Sequence, residues 1–234
     1  MLTITVNSFV DHVYVINLER RPDRLARVSA TLARHGISFT RWVAVDGGDT
    51  TVREQWQRAR RDGSHVTTAG AYACLQSHLS VVRDAKDRGY GRILVLEDDV
   101  LLHRDFAEEF RRVRCVPSFG ILYLGATQLD RSPVRQEYYR ADKTYGLFAY
   151  VVSDVMYDPL IELWGRAERN ADHGVHELQG RYPCYVMWPN LMIADLGTSD
   201  TDEVRGEPLR RGEKKLRMCA RLLGWRLDVY GPDR

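Results

Sequence analysis

The chain alternates short apolar runs with longer amphipathic stretches. Val13-Tyr14-Val15-Ile16-Asn17-Leu18 is almost continuously apolar, which at this length reads as a buried strand. Glu19 to Arg24 follows, and Pro22 suits the first turn of a helix. Leu25, Val28 and Leu32 keep helical spacing up to His35, where Gly36 provides a C-terminal stop. Phe39 to Val45 reads as a second strand, closed by Asp46-Gly47-Gly48. Strand, helix, strand is the crossover that parallel pairing requires. Residues 50–66 are polar and predict no more than a loose helix.

The pattern then repeats. Thr67 or Thr68 caps a helix from Ala69 to about Arg88, striped by Leu75, Leu79, Val82 and Ala85, and Gly89-Tyr90-Gly91 ends it. Further strands are predicted at Ile93–Leu96, Gly120–Gly125, Leu147–Val152 and Cys184–Trp188. Helices are predicted at Arg104–Arg114, from Asp158-Pro159 to about Glu168, and around His173–Leu178. Residues 127–144 read as a long loop, and such loops in compact domains are usually functional. Its tyrosines, Tyr138 and Tyr139, are therefore candidates to stack on a substrate. Alternating elements of this kind predict an α/β layered sheet.

Ile93-Leu94-Val95-Leu96 runs straight into Glu97-Asp98-Asp99. Three adjacent acids repel one another, and burying one unpaired is costly. At the carboxyl end of a strand they are placed to face a cation, because ligands of open α/β sheets bind there. If the strand persists, Glu97 and Asp99 share a face and Asp98 points the other way. Carboxylates suit a hard cation such as Mg2+ or Mn2+ shared with substrate phosphates. A solvated acidic loop is the plainer alternative.

Other candidates fall at strand ends. Arg20 to Arg24 could grip phosphate in pairs of hydrogen bonds, or simply form a surface cluster. Asp46 could bind a ribose or base edge, or cap its own turn. No Gly-x-Gly-x-x-Gly or Walker loop is present, so phosphate would be held by metal and Arg. Cys74 and His78, four apart on a helix, could pair on a metal, although packing is the commoner role; His78 could instead bond the acidic loop. Asp172 is a possible general base.

Composition narrows the classes. Net charge is near +2, too balanced for a nucleic-acid partner. Cys74, Cys115, Cys184 and Cys219 form no Cys-x-x-Cys or Cys/His zinc spacing and are expected to be reduced, buried thiols. No signal peptide or spanning segment is evident, which predicts a soluble, cytoplasmic protein. From Arg205 to Arg226 there are eight Lys or Arg and two Glu, interleaved with Leu209, Leu216, Leu222, Leu223 and Trp225. The chain thus divides into a domain at 1–204 and a basic amphipathic tail at 205–234. The tail could lie on an anionic membrane surface or pack on the domain. Oligomeric state is not legible.

The ordered motifs resemble a known family. They are Val15-Ile16-Asn17-Leu18 with Arg20–Arg24, Ala44-Val45-Asp46-Gly47, Gly70 with Cys74 and Ser77-His78, and Leu94 to Val100. Tyr123-Leu124-Gly125, Tyr150 to Ser153, Asp172 and Ser199-Asp200-Thr201 follow. The set is similar to glycosyltransferase family 25, which holds bacterial lipooligosaccharide galactosyltransferases and collagen galactosyltransferases. The resemblance implies a single GT-A-type, Rossmann-like nucleotide-sugar-binding domain with a mostly parallel mixed sheet. It implies a UDP-sugar donor (commonly galactose), Mn2+ or Mg2+, a glycan or other hydroxyl acceptor, and inversion. Under it Asp99 is the main metal ligand with Glu97 beside it. Asn17, Leu18, Arg20, Arg24, Ala44, Asp46, Ser77, His78, Asp98 and Asp200 are on the donor side, and Asp172 is the base. Two departures stand out: Ala71 replaces a usual Glu, and no His stands just ahead of the Ser199-Asp200-Thr201 segment. A catalytically inactive nucleotide-sugar-binding module and a metal-dependent phosphotransferase are the competing readings.

Overall fold

A computed structural model describes residues 4–128, 137–195 and 227–230. The elements before the acids are α1 (Val6–Phe9), β1 (His12–Asn17), α2 (Pro22–Arg34), β2 (Thr40–Val43), α3 (Thr50–Arg61), α4 (Ala69–Asp87) and β3 (Arg92–Glu97). After them come β4 (Val100–Leu102), α5 (Phe106–Phe110), β5 (Ile121–Thr127), β6 (Tyr138–Arg140) and β7 (Tyr145–Ser153). α6 (Tyr157–Gly165), α7 (Ala171–Gln179), β8 (Cys184–Met187) and β9 (Met192–Ala194) follow, with short 3-10 turns at Arg111–Cys115, Asp154–Met156 and Leu227–Val229.

Among the described residues, seven strands form one sheet in the order β2-β1-β3-β7-β5-β8-β6. Strands β2, β1, β3, β5 and β8 run one way, and β7 and β6 run against them. The expected mostly parallel mixed α/β sheet is therefore present. Its unbroken apolar runs follow from burial on both faces. On β1, Tyr14 and Ile16 pack with Leu75, Leu79 and Trp164 on the α4–α6–α7 side. Val13 and Val15 pack with Val28, Leu32 and Phe110 on the α2–α5 side. On β3, Ile93 and Val95 face the first cluster, and Leu94 and Leu96 the second.

From β1 the chain crosses to β2 on one side, and it later inserts β3 on the other. The carboxyl ends of β1 and β3 are thus a topological switch point, where open α/β sheets open a crevice. A separate two-stranded pair joins β4 to β9, with Val100 opposite Ala194. This pair carries the chain after the acids back against the residues around Asp195.

Several expectations are corrected. Residues 137–144 are not loop throughout: Tyr138 and Tyr139 lie in β6, are only 2% and 3% exposed, and pack on Tyr185 and Trp188. They are core and cannot stack on a substrate. Residues 50–61 are a full helix, capped by Asp49 accepting from Thr51 N–H. Helix α6 starts at Tyr157, so Pro159 sits inside its first turn, where a missing N–H is tolerated. Cys115 is exposed, not buried. The tail at 205–226 and the Ser199-Asp200-Thr201 segment lie outside the described residues. Among the described residues no helix is long and apolar enough to cross a membrane.

Candidate active site

A cleft of about 640 Å³, including its solvent-open mouth, lies at the carboxyl ends of β1, β2 and β3. Leu18, Arg20, Ala44 and Asp46 come from the loops after β1 and β2, Ser77 and His78 from α4, and Glu97, Asp98 and Asp99 from the end of β3. Arg24, on α2, also reaches it. The nucleotide-side residues named from the sequence therefore converge, apart from Asn17; Asp200 lies outside the described residues.

Asn17 is buried behind the cleft wall and does not line it. Its Nδ2 donates to Asp98 Oδ2 at 2.6 Å and to the Arg21 carbonyl at 3.0 Å, and its Oδ1 accepts from Arg41 Nε. Asp98 is 6% exposed and also takes Arg24 Nη1 at 3.0 Å. Asp98 is thus a fully partnered anchor that clamps the end of β3 to α2.

Glu97 and Asp98 alternate as a strand demands. Glu97 turns to the α4 side, where its Oε1 is 3.3 Å from His78 Nε2. Asp99 does not continue the alternation, because β3 ends at Glu97 and the chain turns. Asp99 Oδ2 lies 3.5 Å from the same Arg24 Nη1. Its Oδ1 is buried and has no hydrogen-bond partner among the described residues. Burial and then the Glu97 carboxylate push the Asp99 carboxyl well above the usual carboxylate range, against the pull of Arg24. A buried, unsatisfied carboxylate oxygen among further carboxylates fits a hard divalent cation, which would relieve both penalties.

The same place holds an acid that sequence reasoning passed over. Asp195 follows β9, and its N–H donates to the Asp99 carbonyl at 2.7 Å. Its carboxylate acts electrostatically on Asp99 and is tied to Arg27 at 3.0 Å. The β4–β9 pairing alone brings these acids together across ninety-odd residues of sequence, so no local pattern announced it.

The opposite wall is built by α4 and the Asp46 loop. Ser77 Oγ accepts from Val45 N–H at 2.9 Å and donates to the Ala73 carbonyl at 2.8 Å, pinning the loop to the helix. A Cβ on Gly47 would stand 2.7 Å from the Gly70 backbone, so glycine is needed for this approach. Asp46 Oδ1 caps its own turn by accepting from Gly48 N–H at 2.8 Å, and Oδ2 takes Arg20 Nε at 2.7 Å. Partial burial opposes ionisation of Asp46, yet Arg20, the Gly48 amide and Arg53 hold its carboxyl below the usual range. The first turn of α4, with Thr68 as its cap, faces the cleft at Gly70; its amides favour an anion there.

Asp172 is outside this cleft lining, in the first turn of α7. Its Oδ1 accepts from His173 N–H and stands 3.1 Å from His173 Nδ1; its Oδ2 accepts from Gly146 N–H at 3.4 Å. It is near enough to act electrostatically on Cys74. Exposed Tyr145 packs edge-on against His173 and His176 beside it.

The family model described as "Glycosyltransferase family 25 (LPS biosynthesis protein)" matches residues 10–153. The chain is 27% identical over 162 residues to procollagen galactosyltransferase 2 of Mus musculus, covering 61% of this chain and 26% of that protein. It is 32% identical over 133 residues to inactive glycosyltransferase 25 family member 3 of Homo sapiens, covering 51% of this chain and 22% of that protein. The match thus spans about a quarter of these curated relatives' length. A solved structure of a glycosyltransferase involved in glycosylation of the major capsid of PBCV-1 aligns over 88% of this chain and 98% of its own. Its TM-score is 0.46 and its identity 10%.

Proposed function

The chain belongs to glycosyltransferase family 25, and we propose that it moves a sugar from a UDP-sugar, galactose first among them, to a hydroxyl acceptor with inversion. The acceptor class is a glycan such as lipooligosaccharide. What supports this most is the switch-point cleft, where Asp46 and Arg20 meet Glu97, Asp98 and Asp99.

The residues divide the work. Asp46 and the backbone at Leu18 and Ala44 face the nucleoside. Arg20 and the first turn of α4 offer positive charge to the diphosphate. Asp99, through its unpartnered Oδ1, would hold Mn2+ or Mg2+, with Glu97 and Asp195 the neighbouring carboxylates. When bound, such a cation neutralises charge on a diphosphate leaving group. Asp172 accepts the proton of the acceptor hydroxyl, whose oxygen attacks the anomeric carbon from the face opposite the leaving diphosphate. Tyr145, not Tyr138 or Tyr139, is the exposed aromatic beside that base.

The second reading is an inactive nucleotide-sugar-binding module. Ala71 in place of a family Glu and the inactive relatives favour it. UDP release from UDP-sugars with Mn2+ separates the two. Turnover that falls by at least about a hundredfold in Asp99→Ala supports the enzyme. UDP-sugar binding without turnover across varied acceptors supports the module, and phosphate release from simple esters would indicate a phosphotransferase.

A further inference from the structure

We infer that Cys74, His78 and Glu97 form a site for a borderline-soft divalent cation, of the zinc or cobalt class, in the α4 wall of the cleft. One ligand atom from each residue, thiol sulfur, imidazole nitrogen and carboxylate oxygen, lies within 4.8 Å of the other two. Ligand atoms around a tetrahedral zinc are about 3.3–3.6 Å apart, given Zn–N near 2.0–2.1 Å and Zn–S near 2.3 Å. His78 Nε2 and Glu97 Oε1 already meet that spacing at 3.3 Å. The remaining closure is about an ångström at the Cys74 side chain.

The donor set is the reason for the choice of metal. Sulfur, nitrogen and one oxygen select zinc or cobalt, whereas Mg2+ and Mn2+ prefer oxygen alone. Glu97 Oε1 stands 3.3 Å from the imidazole on α4, while Asp99 Oδ2 lies 3.5 Å from Arg24 Nη1. His78 also has the outer partner that metal-bound imidazoles usually have: its Nδ1 is 3.0 Å from Tyr150 OH. Donating Nδ1–H to that oxygen leaves the Nε2 lone pair aimed at the cluster. All three residues line the cleft, so three protein ligands leave a fourth position for water or a substrate oxygen. Binding displaces the thiol proton to solvent.

The site does not depend on sugar transfer, and its test reads the metal directly. Co2+ is titrated into the reduced protein, and the near-ultraviolet thiolate-to-cobalt band is followed. Wild type should show the band, and Zn2+ should abolish it by displacement. Cys74→Ser should lose the band and bind Zn2+ at least about tenfold more weakly in a chelator competition. Cys115→Ser, which removes the exposed thiol, should keep both. No band in wild type, or a band that survives Cys74→Ser, overturns the inference. A second measurement covers a variant that fails to fold: alkylation of the wild-type protein mapped by mass spectrometry. Zn2+ should slow labelling of Cys74 by at least about tenfold relative to Cys115; equal rates with and without Zn2+ overturn the site.

Discussion

Replacing Arg24 with methionine removes the cation that two buried acids share. The Arg24 and Asp98 side chains are 7% and 8% exposed and 3.0 Å apart, and Asp99 is 3.5 Å from the same guanidinium nitrogen. Methionine keeps most of the apolar stem, so the packing loss is small. What remains is an uncompensated pair of carboxylates. Breaking a buried ion pair from one side costs about 3–5 kcal/mol. For a chain of this size 1 kcal/mol moves Tm by about 2–4 °C, so the drop should be about 6–20 °C. Urea unfolding with Tm as a cross-check measures it. A double-mutant cycle isolates the cause: Asp98→Asn added to Arg24→Met keeps the Asn17 contact and removes one orphaned charge. It should recover about 1–3 kcal/mol. A loss below about 1 kcal/mol, as for a surface pair, or a cycle with no coupling, would refute the view of Asp98 as a clamped anchor.

Other outcomes follow from the same geometry. Gly47→Ala should cost about 1–3 kcal/mol of stability and weaken UDP binding, because its Cβ meets the Gly70 backbone; unchanged melting and affinity would show that the Asp46 loop moves freely off α4. Tyr139→Ala should destabilise by about 3–5 kcal/mol, as a core aromatic does, and a rise in acceptor KM at full stability would return it to the substrate. Burial first, and His173 after it, hold the His176 imidazole below its ordinary value, despite the Thr144 carbonyl. A depressed folded pKa gives stability that is present above about 6.5 and is lost as pH falls through the folded value. His176→Gln should therefore flatten the decline in Tm between about pH 7 and 5, and an unchanged slope would assign that decline to other groups. Arg20→Ala should raise the UDP-sugar KM about tenfold with Tm nearly constant, since Arg20 is exposed and Asp46 only partly buried; a large fall in Tm with no change in KM would count against a diphosphate role.

Much of this fold is legible from local pattern. The parallel core strands β1 and β3 are buried on both faces, so each shows as an apolar run. Helices α2 and α4 carry their stripes and stops in place. Short-range rules fail where long-range pairing decides. β6 is three residues long, and Tyr138 and Tyr139 read as loop until β8 packs beside them. β4 and β9 are equally short, so nothing in sequence placed Asp195 near Asp99. The acids themselves were visible because three carboxylates after a buried strand are costly. Their geometry was half visible: alternation set Glu97 and Asp98 on opposite sides, and the turn after β3 then sent Asp99 to Arg24. Cys74 and His78 share a helix face at i and i+4, but only the end of β3 supplies the third group of that cluster.

The proposed function requires that the acids at the end of β3 hold a divalent cation against a nucleoside diphosphate, which calorimetric titration of UDP with and without Mn2+, in wild type and Asp99→Asn, reads out. Mn2+ should tighten UDP binding to wild type by at least about tenfold, and Asp99→Asn should lose that gain while keeping the wild-type fold by circular dichroism. UDP binding that is indifferent to Mn2+, or a Mn2+ effect that survives in Asp99→Asn, would contradict it.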